Sequence, residues 1–413
     1  MNDRSLPGVT SEERIVLHVD MDCFYASCER RRESALEEKP VVVGMGYEAG
    51  ETHGAVATAS YEAREHGVES AQAISQALTR LPRAVDADEQ EEAVGHYRPV
   101  DMAYYESVSE EVKAVLHEVA DTVREVSIDE AYVDVSDRLG WEGAPVFARN
   151  LKARIHETAG VPASIGVAPN MSTAKIASDH DKPDGLVVVT PDEIRSFLAP
   201  LDTKRLHGVG PVTARELRSM GIETVGELAQ TDRSRLVDRF GARGGEIYDY
   251  ARGHDDRDVE PVGDPKSLSN ESAFTEPTED SDRVRDRLRR LVEQVTTRTA
   301  RRNALYKTIG IKVVTPPFDV HTRSHTLSGP VNDPALVERI VLDLIEEFDG
   351  RSVRKLGVRV SNLSFVETDQ ASLNDWERPT TESNGTDGAP VKPDGGSATE
   401  NECTRQTSVF EFT

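Results

Sequence analysis

Apolar and polar positions alternate over residues 14–22 (RIVLHVDMD), and the β-branched content predicts a buried first strand that ends in acids. KPVVVGM at 39–45 predicts a second strand. AVATAS at 55–60 leads into a short helix, with Ser60 placed to cap its start and Gly67 just past its end. A helix over about 100–119 precedes a strand pair around 124–135, a helix at 145–159 and a strand at 163–167, completing an α+β sheet domain. Short helices punctuated by glycine fill 187–258. Residues 266–366 then read strand, helix (281–302), strand (305–314), strand (318–328), helix (333–348), strand (353–366). That βαββαβ order predicts a second small sheet with its helices on one face. From 368 to 405 the chain is acidic and rich in Gly, Ser, Thr, Asn and Pro, the composition of a disordered tail.

At 413 residues the chain exceeds a single ordinary core, so these segments group into several modules. No apolar run approaches the ~18 residues of a membrane span. The opening MNDRSLPGVTSEER lacks a basic-then-apolar leader pattern, which points to a cytoplasmic protein. Cys23, Cys28 and Cys403 lack metal-ligand spacing and fit reduced thiols. The formal net charge is −25, from 49 Lys+Arg against 74 Asp+Glu. Taken alone, that opposes a nucleic-acid partner, since phosphate binding needs a basic footprint. Acids spread along the whole chain, with arginine preferred to lysine, instead resemble the composition of proteins from salt-loving microbes. Net charge then reports the solvent, and a phosphate-binding surface has to be sought locally.

Three acids stand out from this background: Asp20, and the adjacent Asp129 and Glu130 in SIDEAYVD. Phosphoryl transfer to a nucleotide needs hard cations, and hard cations need oxygen ligands, which three acids on neighbouring strand ends supply. Strict alternation puts Asp129 and Glu130 on opposite faces, so both serve only at a strand's mouth or in a turn. Either acid pair alone is also what the solvated surface of so acidic a chain contains.

DMDCFYASCE (20–29), ATASYEAREHGV (57–68), SIDEAYVDVS (127–136), SIGVAPNMSTAKIAS (164–178) and KPDG (182–185) follow the order found in Y-family DNA polymerases. The chain resembles that family over roughly 14–366. The resemblance implies a template-dependent polymerase of low fidelity, active in translesion synthesis and DNA repair, with an α+β, multidomain right-hand fold. Its parts would be a ferredoxin-like palm (1–24 and 94–186), small fingers (25–93), a helix-hairpin-helix thumb (187–262) and a βαββαβ little finger (263–367). A disordered acidic linker (368–405) and a clamp-binding peptide (406–413) would follow.

The resemblance further implies two Mg2+ ions held by Asp20, Asp129, Glu130 and the Met21 backbone carbonyl. Primer-template DNA and deoxynucleoside triphosphates would be the partners of a monomeric enzyme. Tyr25 matches the steric gate, whose ring leaves no room for a 2′-hydroxyl. Tyr61 and Arg64, three apart on one helical face, would grip the triphosphate together with Lys182. Ala55 and Ala57 share a strand face and would roof the nascent base pair, since small residues cannot squeeze out a damaged base. Tight packing uses small residues as well.

LHGVGPVTARELRSMGI (206–222) fits a helix-hairpin-helix, with Gly208, Val209 and Gly210 in the turn and Ala214 and Leu217 pointing inward. Such glycines let backbone N–H groups approach a phosphate without reading sequence. In the little finger, Lys307, Arg354, Lys355 and Arg359 are the expected DNA contacts, because the family presents its sheet to DNA. The eight arginines between 283 and 302 read instead as a solvated helix face laced with Asp286 and Glu293. The final QTSVFEFT resembles a sliding-clamp (PCNA) binding peptide through Gln406, Val409 and Phe412. Phe410 is extra there, and Thr413 stands where such peptides carry a second aromatic, which leaves the register open. A nucleotide cyclase also sets acids on a ferredoxin-like sheet, but needs neither the hairpin nor the clamp peptide. A non-catalytic scaffold has no use for intact Asp20, Asp129, Glu130 and Tyr25.

Overall fold

Six consecutive buried residues make β1 (Val16–Met21) the central strand of a sheet covered on both faces. The computed structural model describes residues 14–87 and 93–365. After β1 come α1 (Phe24–Arg32), β2 (Val41–Met45), β3 (Ala55–Ala59), α2 (Tyr61–Glu65), α3 (Ile74–Arg80), β4 (His96–Pro99) and α4 (Met102–Val119). Then follow β5 (Thr122–Glu125), β6 (Glu130–Asp134), α5 (Ala144–Ala159), β7 (Ala163–Ala168), α6 (Met171–Ser178) and β8 (Leu186–Val188). The palm sheet has the order β5-β6-β1-β7-β8, and its register sets Asp20 opposite Glu130 on one side and Ser164 on the other. Val112, Leu116, Leu151 and Ile155 of α4 and α5 cover one face, while Ala174 and Ala177 of α6 cover the other with Val16 and Tyr132. Gly166 permits this close seat, because a Cβ there would fall 2.1 Å from the Ala174 carbonyl oxygen.

The second sheet has the order β3-β2-β4, with β4 parallel to β2 and Tyr97 in its core. The expected fingers–palm break at 93/94 is therefore too early, since residues 96–99 pair inside the fingers sheet. The expected palm–thumb break after 186 also shifts, because Leu186–Val188 is the palm sheet's edge strand.

Five short helices, α7 (Ile194–Leu198), α8 (Pro211–Ser219), α9 (Val225–Gln230), α10 (Arg233–Phe240) and α11 (Ala242–Ala251), pack around Leu198, Leu217, Leu236 and Ile247. Next come β9 (Ser267–Thr278), α12 (Ser281–Arg301), β10 (Ala304–Thr315), β11 (Asp319–Val331), α13 (Pro334–Ile345) and β12 (Val353–Phe365), the expected βαββαβ order. They form a sheet β11-β10-β12-β9, with α12 and α13 packed over Ile309, Ile311 and Val358. The opposite face is open. Among the described residues no helix is long and apolar enough to cross a membrane. The linker and clamp-peptide assignments, including Gln406, Val409, Phe410 and Phe412, lie outside the described residues.

Candidate active site

His18 and Asp20 occupy the same face of β1, and Glu130 faces Asp20 from β6. Their ligand atoms all lie within 4.8 Å of one another. Asp129 lies in the bend just before β6, where its carbonyl accepts the Met21 N–H at 2.9 Å. Both acids of the pair thus stand at a strand's mouth, the condition alternation imposed. The Asp129 carboxylate sits beside the group rather than within it, and accepts Ser127 Oγ at 2.5 Å.

Two ammonium groups balance these acids. Lys182 Nζ lies 2.6 Å from Asp20 and 2.9 Å from Asp179, and Lys175 Nζ lies 2.8 Å from Glu130. Burial pushes the Asp20 carboxyl up to about 7, with Lys182 limiting the rise. Burial also raises Asp129, against the Ser127 hydrogen bond. Burial opposes ionisation of Glu130 too, yet His18 and Lys175 outweigh it and hold that carboxyl well below the usual range. The group joins two carboxylates to one imidazole nitrogen, with cations seated beside the acids, so the cleft could hold a divalent ion.

Sequence reasoning missed four residues that organise this cleft. His18 Nδ1 lies 2.7 Å from Ser178 Oγ, which donates to the Lys175 carbonyl at 2.8 Å. Its Nε2 lies 3.7 Å from Glu130. Lys175 and Ser178 come from α6, whose pattern reads only as packing. Asp22 is buried at the end of β1 and bonded to Ser164, Asp184 and Tyr61. Only the position of His18, two before Asp20 in an alternating strand, gave a sequence signal.

Tyr25 stacks on Tyr105 with centroids 4.6 Å apart and planes 15° from parallel. The Tyr105 hydroxyl donates to Glu29 at 2.7 Å, so the stack is braced from behind. Arg64 lies over the Tyr61 ring at 4.7 Å and donates to the Ala59 carbonyl at 2.9 Å. Lys182 is paired with Asp20 and Asp179. Ala55 and Ala57 are half-buried on one strand face above buried Val56. A register shift pairs Val43 with Thr58 but Gly44 with Val56, so a bulge at Ala57 brings Thr58 to the same half-buried side.

In the hairpin, Gly208 adopts φ +82°, and Arg243 donates to its carbonyl at 2.7 Å. Val209, Ala214 and Leu217 are buried, and a Cβ on Gly210 would meet open space. The first helix of the motif is a single 3₁₀ turn, Thr203–Arg205. On the open face of the little finger, Arg359 and Lys312 line a groove of about 290 Å³ with Glu271, and Lys355 lies alongside. Glu271 pairs with both Lys312, at 3.0 Å, and Lys355. Arg354 does not join them: the β9–β12 register shift leaves it exposed over the Phe318 ring at 4.5 Å. Lys307 sits at the β10–β11 register shift, outside the alternating Thr308, Gly310, Lys312 set. Among the α12 arginines, Arg289 pairs with Asp286 at 2.8 Å and Glu338 at 3.2 Å and Arg285 with Asp349 at 2.9 Å, while Arg287 and Arg298 donate to the Ala273 and Ser269 carbonyls of β9.

Residues 19–179 match the model of the impB/mucB/samB family, residues 265–374 that of its C-terminal domain, and residues 204–255 the thumb domain of DNA polymerase-iota. The chain is 60% identical over 409 residues to a DNA polymerase IV of Halobacterium salinarum, covering 99% of this chain and 98% of the relative. It is 41% identical over 369 residues to DNA polymerase IV of Methanoculleus marisnigri, covering 89% of this chain and 99% of the relative. A Y-family DNA polymerase chimera containing Dbh superposes with a TM-score of 0.75 at 29% identity, over 85% of this chain and 100% of the other. An insertion ternary complex of Dbh DNA polymerase gives 0.61 at 28% identity, with the same coverage. The Halobacterium relative accords with the salt-adapted composition. Likeness of this extent, through every domain in order, decides the family: the chain belongs to the impB/mucB/samB group of Y-family DNA polymerases, template-dependent enzymes of translesion synthesis.

Proposed function

We propose that this polymerase extends primers through two magnesium ions held by Asp20, Asp129, Glu130 and the Met21 carbonyl. The observation that carries the reading is the Asp20–Glu130 pair at the paired ends of the neighbouring strands β1 and β6, each acid already matched to an ammonium. Bound there, the ions would help ionise the primer 3′-hydroxyl and stabilise charge on the departing pyrophosphate. His18 and Lys175 keep Glu130 ionised and ready as a ligand. Lys182 exchanges Asp20 for the triphosphate, which it grips with Tyr61 and Arg64. Tyr25, braced by Tyr105, fills the space a 2′-hydroxyl would need. Ala55 and Ala57 leave room above the base pair. The DNA backbone runs past Gly208–Gly210 and across Lys312, Lys355 and Arg359. Residues 406–413 tether the enzyme, a cytoplasmic monomer, to the sliding clamp.

Primer extension tests the metal assignment directly. Asp129→Ala in magnesium buffer is expected to lose about three orders of magnitude in rate while binding primer-template normally. Extension within about tenfold of the parent rate would remove Asp129 from the site.

A further inference from the structure

We propose that Asp22 is a positioning residue for the incoming triphosphate, joining Tyr61 of the fingers to the palm loop that carries Lys182. The inference rests on the reading that Tyr61 and Lys182 grip the nucleotide. Asp22 is 1% exposed, and it is not one of the His18–Asp20–Glu130 group. Both of its oxygens lie 2.9 Å from Ser164 Oγ. Oδ2 accepts the Asp184 N–H at 2.8 Å, and Oδ1 accepts the Tyr61 hydroxyl at 3.2 Å. Ser164 Oγ in turn accepts the Gly185 N–H at 3.0 Å. Two consecutive amides of the 182–185 loop therefore hang from Asp22 and Ser164, within three residues of Lys182. Lys152 holds the same loop from its other side, at the Asp184 and Gly185 carbonyls.

A buried carboxylate that receives three donors fixes all three relative to one another, because each bond is charge-assisted and no water competes. The phenol proton of Tyr61 is given to Asp22, so its oxygen is placed before any nucleotide arrives. Rotation about the phenol C–O bond then passes that proton from Asp22 to a phosphate oxygen without moving the ring. The donors on Asp22 come from the fingers, from β7 and from the Lys182 loop. One side chain thus sets the spacing between two phosphate-facing groups that belong to different domains.

Nucleotide-concentration dependence of single-turnover insertion tests this, with Asp22→Asn, Ser164→Ala, Lys182→Ala and the Asp22→Asn/Tyr61→Phe pair. An amide keeps the shape of Asp22 but offers a single acceptor oxygen, so one donor loses its partner. Asp22→Asn is expected to raise the apparent nucleotide dissociation constant about tenfold, with maximal rate within about threefold and primer-template affinity unchanged. Added to Asp22→Asn, Tyr61→Phe is expected to raise it by less than it does alone, since the two act through one contact. If Lys182→Ala weakens nucleotide binding but Asp22→Asn does not, the positioning role is overturned and the nucleotide grip stands. If Lys182→Ala also leaves nucleotide binding unchanged, the grip itself falls. A loss confined to maximal rate overturns the positioning role as well. Should Asp22→Asn fail to fold, Ser164→Ala, which removes one of the three donors to Asp22 and the Gly185 link, is judged by the same split.

Discussion

On the open face of the little finger, Glu271 lies between two lysines, 3.0 Å from Lys312 and in ion contact with Lys355. Its side chain is 13% exposed. Burial works against its ionised form, but the two lysines outweigh burial and hold the carboxyl below the usual range. The trio therefore carries one net positive charge where DNA is expected to lie, and Glu271→Gln makes it two. One more phosphate neutralised on duplex DNA steepens the dependence of log affinity on log salt by about 0.9. The gain is then about eightfold at 0.1 M salt and vanishes near 1 M. Fluorescence anisotropy of labelled primer-template, titrated across that salt range for parent and variant, reads both slope and affinity. A thermal melt beside it checks that β9 and β12 stay joined once the lysines lose their shared acid. An unchanged slope, or a gain that persists at 1 M, refutes the electrostatic reasoning and with it the placement of DNA on this face.

Tyr25→Ala removes a wall rather than a ligand, so ribonucleotide insertion is expected to rise by about two orders of magnitude while deoxynucleotide insertion stays measurable. Unchanged sugar discrimination in single-nucleotide kinetics would make Tyr25 only a packing partner of Tyr105. Asp255 accepts the Ser172 N–H at 3.0 Å at the start of α6 and binds Arg257 at 2.7 and 2.8 Å. Asp255→Ala should cost about 2 kcal/mol in denaturant unfolding, and a loss below about 0.5 kcal/mol would refute its anchoring role. Deleting residues 406–413 should abolish stimulation by a loaded clamp and leave extension of short primers unchanged. Equal stimulation of both proteins would return the segment to linker.

The little finger could be read almost completely from sequence, because its strands alternate and its helices carry explicit start signals. Asp280 accepts the amides of Asp282 and Arg283, and Asp333 those of Ala335 and Leu336. What failed there was local. Arg354 and Lys355 were named together although neighbours on a strand face opposite ways, and a register shift between Val353 and Lys355 leaves Arg354 apart from Lys355. In the palm, motif singled out Asp20, Asp129 and Glu130, and the last two stand at the strand's mouth that alternation demanded. Asp22 escaped because it lies in the turn after β1, and its partners Ser164, Asp184 and Tyr61 come from distant parts of the chain, which no local pattern signals. β4 escaped for a like reason. It is four residues long, and its partner β2 lies some fifty residues earlier in a parallel pairing that no local pattern announces.

An acidic chain dominated by arginine gives its few lysines a particular meaning. Arginine pairs here both along solvated helices, as with Arg285 and Asp349 or Arg289 and Glu338, and against the shielded Asp255, where the planar fork of Arg257 holds one geometry. Lysine is a compact charge on a flexible stem, able to leave one anion for another. Lys113 and Lys152 pair with acids whose side chains are 39% and 71% exposed, ordinary surface contacts of little energetic weight. Lys182, Lys175, Lys312 and Lys355 differ, because their partners Asp20, Glu130 and Glu271 are 9%, 26% and 13% exposed. A shielded carboxylate needs a cation while no metal or phosphate is present, and must release that cation when one arrives. These four lysines lie beside the Asp20–Glu130 cleft and the open sheet face of the little finger. On the proposed roles of that cleft and face, exchangeable lysines held against shielded acids would serve the substrate while the negative surface serves the solvent.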